Sequence, residues 1–290
     1  MGKAGAAPEQ AHPSNAAAGA RAPLGRVLRA ELRWVLRRPR TLLALLLLAA
    51  VPVLLGVSIA ATGGAPPGHG PPALAAVTGN GLVLPVAALV VTQSLLLPLV
   101  VTMAAADALA GESANGTLRG LLLAPVSRMR LVLVKTFGVL VVTALAVVVL
   151  VASGVGTGLL VVGGDHLITL SGTTLPAGQA LGRIALAAGW SFVQMAAVGA
   201  VALAVSSGTD HPLVVVAATM GMLIVFGVLA SVPNLEWLRP VLITTGWSDV
   251  MDVVRDPVPS ENLATGLLRA GCYLLIGLAA TAGRMSSREG

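Results

Sequence analysis

The sequence predicts an all-α integral membrane protein with six transmembrane helices. Hydrophobic residues make up 56% of its 290 residues and charged residues only 10%, and the mean hydropathy is +0.90. A soluble domain usually carries about 25% charged residues. The apolar residues also come in uninterrupted blocks of about twenty, the length that a helix needs to cross about 30 Å of hydrocarbon. In lipid such blocks are helical, because each backbone amide must be satisfied within its own segment.

Six apolar blocks qualify as spans. They cover residues 41–61, 82–106, 131–152, 184–205, 213–232 and 263–282. Pro52, Pro85 and Pro98 fall inside the first two blocks, and membrane helices tolerate proline where neighbours satisfy the freed backbone groups. We therefore expect a six-helix transmembrane domain over residues 41–284, followed by a short tail at 285–290.

The basic residues predict the orientation of the chain. With the N-terminus in the cytoplasm, 14 of the 18 lysines and arginines lie inside, and only Arg183, Arg239, Arg255 and Arg269 lie outside. The acids divide equally, so the bias is confined to basic residues, as the positive-inside rule requires. Both termini are expected in the cytoplasm. A cleaved secretory signal is the alternative for the N-terminus, but the leading region and the apolar run are both too long for one.

The region before the first span has two parts. Residues 1–23 are rich in Ala, Gly, Pro and Ser and predict a disordered tail. Within residues 24–40, leucines and valines oppose a narrow stripe formed by Arg26, Arg29, Arg33, Arg37 and Arg40. This pattern predicts a basic amphipathic helix in the membrane interface. The alternative is that these arginines only enforce the topology.

The longest outer loop, residues 233–262, contains two tryptophans. Trp237 and Trp247 favour the headgroup level, so short helices over 236–242 and 248–254 are expected to dip into the outer leaflet.

Sequence motifs for catalysis are absent. No G-x-x-x-x-G-K-[ST] occurs, and the two lysines, Lys3 and Lys135, do not follow a glycine-rich loop of that spacing. The histidines lie in tails or loops, which argues against an intramembrane metal site. No acid lies near the middle of a span, where ion-coupled transporters typically place one. We expect a non-catalytic chain that binds no cofactor or metal itself.

Two glutamines are the main polar groups at membrane depth. Gln93 lies near the centre of the second span and Gln194 near the centre of the fourth. An unpaired amide in lipid costs several kcal/mol, so each is expected to hydrogen-bond a neighbouring helix. The alternative is that one of them lines a substrate path.

The connection between the second and third spans predicts a short amphipathic helix. Thr117 is a good N-cap, Pro125 ends the turn, and three leucines share one face, namely Leu118, Leu121 and Leu122. Basic residues follow where the third span begins. From the residues alone, this helix either docks a partner or lies against the lipid headgroups.

The same loop resembles the signature loop of type-2 ABC exporter permeases. The matching residues are Glu112, Gly116-Thr117-Leu118, Leu122-Leu123, Pro125-Val126-Ser127-Arg128 and Lys135. The resemblance covers most of the chain, since the arginine-rich helix before the first span, the six spans and the long outer loop before the sixth are also similar.

The resemblance implies a mechanism. Such permeases work in pairs, each bound to a cytoplasmic ATPase that uses ATP and Mg²⁺, and the loop helix acts as a coupling helix seated in the ATPase. The implied coupling residues are Glu112, Gly116, Thr117, Leu118, Leu121, Leu122, Pro125 and Arg128. The composition, rich in Ala, Val, Leu and Arg, indicates a high-GC bacterium, so we expect a bacterial cytoplasmic membrane and no nucleic-acid partner. Apolar spans without charges suit a hydrophobic or amphipathic cargo, such as a drug, lipid or peptide antibiotic.

Two other functions are considered beside this one. A stand-alone secondary transporter is disfavoured by the missing mid-span acids and the missing internal repeat. A membrane assembly or structural factor is the second alternative.

Overall fold

The structure is a computed structural model that describes residues 24–62, 77, 80–114, 128–163 and 166–287. Within these residues, five helices are long and apolar enough to cross a membrane, and a bent pair of shorter helices could make a sixth crossing. The prediction of an all-α membrane protein is confirmed at this level. The predicted tail at 1–23 lies outside the described residues.

The described helices follow one another along the chain as α1 (Leu24–Leu36), α2 (Pro39–Thr62), α3 (Leu84–Gln93), α4 (Leu96–Ala108), α5 (Ala110–Ala114), α6 (Arg128–Thr157), α7 (Ala177–Ser206), α8 (Pro212–Ser231) and α9 (Ser260–Ser287). Shorter elements are 3-10 turns at Gly81–Val83, Pro233–Leu238 and Trp247–Val254, a π-helical turn at Gly158–Val162, and the antiparallel strands β1 (His166–Ile168) and β2 (Thr174–Pro176).

The amphipathic segment ends earlier than predicted. Helix α1 stops at Leu36 and α2 begins at Pro39, so the predicted helix over 24–40 is two elements. A residue that precedes proline is disfavoured in the α conformation, and proline suits the first position of a helix. Arg38 therefore lies at the elbow between the two helices.

The second predicted span is broken, which corrects the expectation of one continuous helix. Helices α3 and α4 meet at an angle of 58°, and Leu95 between them has φ −144° and ψ −54°. Pro98 explains the break, because it has no N–H to donate to the carbonyl of Ser94 and its ring crowds that carbonyl. On the α3 side of the break, the Ser94 hydroxyl donates to the Val91 carbonyl at 2.9 Å and the Leu95 amide donates to the Thr92 carbonyl at 3.3 Å.

Several helices are longer than the apolar blocks that predicted them. Helix α7 begins at Ala177 rather than 184, and α9 runs on to Ser287, through the first half of the predicted tail. Helices of this length measure roughly 45 Å, more than the hydrocarbon thickness of about 30 Å. Hydropathy marks only the hydrocarbon part, whereas the helices continue beyond it. The connection between α6 and α7 contains the β1–β2 hairpin.

Helix α7 is the central helix of the bundle. Inside the bundle, 61% of its most apolar window is buried, compared with 22% for each of α2, α8 and α9. Its small residues allow close packing, since a Cβ placed on Gly277 of α9 would come 2.6 Å from the Ala200 carbonyl carbon. Leucines of α2, such as Leu46 and Leu54, are exposed instead and suit contact with lipid.

Hydrogen bonds from two polar side chains of α9 hold the segment between α8 and α9 against that helix. Arg269 donates to the carbonyls of Pro240 at 2.9 Å, Leu242 at 3.3 Å and Thr245, and the Tyr273 hydroxyl donates to the Val241 carbonyl at 2.8 Å. These bonds satisfy an irregular backbone. Of the two predicted helices, 248–254 matches a 3-10 turn, while the other turn ends at Leu238.

Replacing Arg269 with methionine is expected to loosen this segment. Several carbonyls lose a charged donor at once, so we expect a stability loss of about 2 kcal/mol and faster amide exchange in residues 240–246. Hydrogen exchange followed by mass spectrometry measures the effect. Arg239→Met is the matched control, because Arg239 is exposed and pairs only loosely with Glu236 at 3.7 Å. Equal exchange in the two variants would contradict the role given to Arg269.

Candidate coupling site

A buried ion pair holds α1 against α6. The Glu31 carboxylate of α1 accepts hydrogen bonds from the Lys135 ammonium of α6, at 3.1 and 3.2 Å for its two oxygens. Gly138, one turn further along α6, makes room for this carboxylate, because a Cβ there would come 3.1 Å from Glu31 Oε1. The exposed face of α1 carries the arginines and its inner face carries Glu31.

A second carboxylate completes the cluster. Lys135 Nζ also donates to Glu112 Oε1 of α5 at 2.5 Å. The exposed fractions of the side chains are 4% for Lys135, 11% for Glu31 and 10% for Glu112. We name these three residues the Lys135 cluster. Charges taken this far from water persist only if they are paired and hydrogen-bonded, so each member depends on the others.

Asp107 forms a further ion pair beside the Lys135 cluster. Its carboxylate accepts from Arg38 at 2.8 Å and lies 3.9 Å from Arg40. Burial lowers the pKa of the Arg38 guanidinium, and the negative charges of Asp107, Glu112 and Glu31 oppose that shift. The elbow between α1 and α2 is therefore held to α4 by the Arg38–Asp107 pair. Helix α1 is held to α5 and α6 by the Lys135 cluster.

Helix α5 is tied to the central helix as well. The Ala110 amide donates to the Ser206 hydroxyl at 3.0 Å, and this hydroxyl contacts the Ala106 carbonyl at 3.4 Å. Ser113 donates to Asp210 beyond the end of α7 at 2.5 Å. The short helix that leads into residues 115–127 thus contacts both α6 and α7, so displacement of that segment would act on both.

Only two of the residues predicted for the coupling loop lie within the described part of the chain. Glu112 lies in the Lys135 cluster, and Arg128 begins α6. The remainder lie outside the described residues, namely Gly116, Thr117, Leu118, Leu121, Leu122 and Pro125. Their roles, and the helix expected there, stay predictions.

Sequence reasoning missed the roles of Glu31, Lys135 and Asp107 in this site. A signal was present in the sequence, since Glu31 is the one acid within residues 24–40 and Lys135 is one of only two lysines. Lys135 and Asp107 stand among mainly apolar residues, and Glu31 stands alone among arginines, which indicates paired roles. The identity of the partners could not be read from the sequence.

The two glutamines do not behave as expected. Gln93 is fully buried, and neither its amide nitrogen nor its amide oxygen has a hydrogen-bond partner among the described residues. Among the described residues no helix supplies the bond predicted for Gln93, and the bond stays a prediction. Gln194 is also buried, and its Nε2 lacks a partner there while packing beside Gly266 of α9. A substrate-path role for either stays a prediction.

The comparison with known protein families identifies the chain. A family model described as "ABC-2 family transporter protein" matches residues 25–243, a stretch that includes α1, the elbow and the Lys135 cluster. The chain belongs to the ABC-2 transporter family. This ABC-2 protein is a multi-pass membrane permease component of an ABC transporter. No curated protein matches its sequence.

Proposed function

We propose that this ABC-2 protein is the permease subunit of an ATP-driven exporter and that residues 112–128 couple it to a separate ATPase. The observation that carries the proposal is the Lys135 cluster. It joins α5, which leads directly into the coupling segment, to α1 and to the membrane-spanning α6. A displacement of the coupling segment would be transmitted to both helices, because the buried charges of the cluster cannot separate without losing their pairing.

ATP hydrolysis is assigned to the partner chain. The permease sequence has no phosphate-binding loop that could hold ATP and Mg²⁺. The permease would contribute only the predicted docking helix, for which Thr117 is the expected N-cap and Pro125 the expected end, and the substrate path. Two permease subunits, identical or homologous, would then enclose that path between them.

The α1 end of the bundle is assigned to the cytoplasm. Basic residues favour this orientation, because Arg26, Arg29, Arg33 and Arg37 of this end are all exposed. The bent α3–α4 pair then serves as the second of six spans, with both termini inside. The bacterial cytoplasmic membrane is the proposed location.

A hydrophobic or amphipathic compound is the proposed cargo. The spans offer apolar surface and the buried amides of Gln93 and Gln194, rather than charged groups that would replace the hydration of an ion. An amide that has no partner among the described residues can hydrogen-bond a polar group of a passing substrate. A drug, a lipid or a peptide antibiotic fits this description.

The test is reconstitution of the permease with its ATPase in vesicles, with Glu112→Gln as the decisive variant. Loss of the charge weakens the link from α5 to Lys135, so we expect substrate-stimulated ATP hydrolysis to fall about tenfold, within the usual range of coupling free energies. Leu118→Ala should act in the same direction. Basal hydrolysis by the isolated ATPase is the reference rate.

Glu261→Gln is the matched control, because Glu261 is an exposed acid in the first turn of α9 at the opposite end of the bundle. Unchanged stimulation in Glu112→Gln would contradict the coupling role. Transport that persists without ATP and without an associated ATPase would contradict the exporter and support a secondary transporter.

A further inference from the structure

An open groove lies at the elbow between α1 and α2, and its space, including the part open to solvent, is about 510 Å³. Its deeper wall is apolar and is formed by α2, α4 and α6, with Ala44, Val100, Ala104 and Val142 among its residues. Its rim is charged and includes Arg40. The groove therefore has the polarity of an amphiphile, with a charged mouth and an apolar interior.

Among the described residues that line the groove, the most exposed charge is positive. Glu31 and Asp107 are largely buried and already bonded to Lys135 and Arg38. Arg40 is 75% exposed, and its nearest acid, Asp107, is 3.9 Å away and accepts a shorter bond from Arg38. The guanidinium of Arg40 is thus available to an anion, and the neighbouring arginines of α1 add positive potential.

The order of charged and apolar groups along α2 matches the order of the headgroup and the acyl chains in a lipid. Arg40 is the second residue of α2, where the apolar run begins, and Ala44 lies one turn deeper. A phosphate bound to Arg40 would lie at the headgroup level, and an acyl chain could follow the apolar wall towards Val100. Among the described residues at the rim, a headgroup amine would meet only carboxylates that are already bonded to Arg38 and Lys135. This arrangement disfavours zwitterionic lipids.

We propose that the groove binds one anionic phospholipid of the leaflet at the α1 end, with its phosphate on Arg40 and an acyl chain along Ala44, Val100 and Ala104. The bound lipid would brace the elbow that the Arg38–Asp107 pair holds. The inference does not depend on the transport activity or on the ATPase.

Native mass spectrometry of the purified full-length protein tests the proposal. The protein is titrated with phosphatidylglycerol and with phosphatidylcholine of the same chains. We expect one tightly retained phosphatidylglycerol. Arg40→Gln should weaken its binding about fivefold, as expected for one basic contact. Ala104→Phe, which fills the apolar part of the groove, should weaken both lipids.

Arg26→Gln is the matched control, because Arg26 is exposed at the far end of α1 and does not line the groove. Equal losses in Arg26→Gln and Arg40→Gln would overturn the site and leave general attraction to the basic helix. Equal retention of the two lipids in the unmodified protein would overturn it too. Displacement by inorganic phosphate alone would identify an anion site without a lipid. Unchanged thermal unfolding of Arg40→Gln verifies that the fold is intact.

Discussion

Replacing Lys135 with methionine is expected to destabilise the protein by about 3–5 kcal/mol, the usual cost of removing one partner from a buried ion pair. Methionine is unbranched and only one heavy atom shorter than lysine, so packing changes little. The carboxylates of Glu31 and Glu112, both bonded to the same ammonium in the native protein, would be left buried without a cation. Thermal unfolding of the detergent-solubilised variant measures the loss.

Two further variants separate charge from packing. Lys135→Arg retains the positive charge and should lose much less stability than Lys135→Met. Adding Glu31→Gln and Glu112→Gln to Lys135→Met removes all three charges and should restore a large part of the stability, because neutral amides are less costly to bury than carboxylates. If the triple variant is no more stable than Lys135→Met, the cost does not come from the unpaired charges.

Replacing Gly277 with valine is expected to separate α7 and α9 and to cost about 3 kcal/mol, as overpacking in a dense interior does. A Cβ at Gly277 would meet the Ala200 backbone at 2.6 Å from its carbonyl carbon and 2.7 Å from its oxygen. Backbone cannot yield as a flexible side chain can, so the helices must move apart. Thermal unfolding in detergent measures this effect as well.

Gly271→Val is the matched control for Gly277→Val. Gly271 lies in the same helix, and a Cβ there would meet no atom within 4 Å. Both variants replace glycine with the same β-branched residue, so the change in helix propensity is shared. The difference between them reports the contact with α7. Similar unfolding temperatures would show that the close approach of the two helices is not essential.

The packing of α7 shows how far a local pattern can predict a contact. Ala196, Ala200 and Ala204 form a small-xxx-small ridge, which indicates that some helix approaches closely. The structure identifies the approaching helix as α9, where Gly277 lies on Ala200 and Arg284 donates to the Ala204 carbonyl at 3.1 Å. The ridge could predict that contact occurs, but several helices could have supplied the partner.

The prolines show the same limit of prediction from a local sequence pattern. Pro52 lies inside an uninterrupted α2, whereas Pro98 accompanies the 58° bend between α3 and α4. Both prolines remove one donor and crowd one carbonyl. Whether a helix tolerates that loss depends on what neighbouring groups do for the freed carbonyl. The sequence around each proline carries no record of those neighbours.

The coupling site was likewise only partly predictable from the sequence. Glu112 was predicted as a site residue through the resemblance of its loop, but its partner Lys135 is 23 residues away and Glu31 lies 104 residues before Lys135. Arg38 and Asp107 are 69 residues apart. Pairings across such separations depend on which helices are neighbours, and hydropathy and charge counts do not encode that order.

The sequence by itself determined that this chain is a helical membrane protein, because twenty-residue apolar blocks have no other stable conformation in lipid. Its motifs were also sufficient to indicate the ABC-2 family. Only the tertiary structure decided that one buried lysine joins α1, α5 and α6. Backbone hydrogen bonding in lipid is a local requirement that each segment meets alone, whereas a buried charge is stabilised only by the partner that folding brings to it.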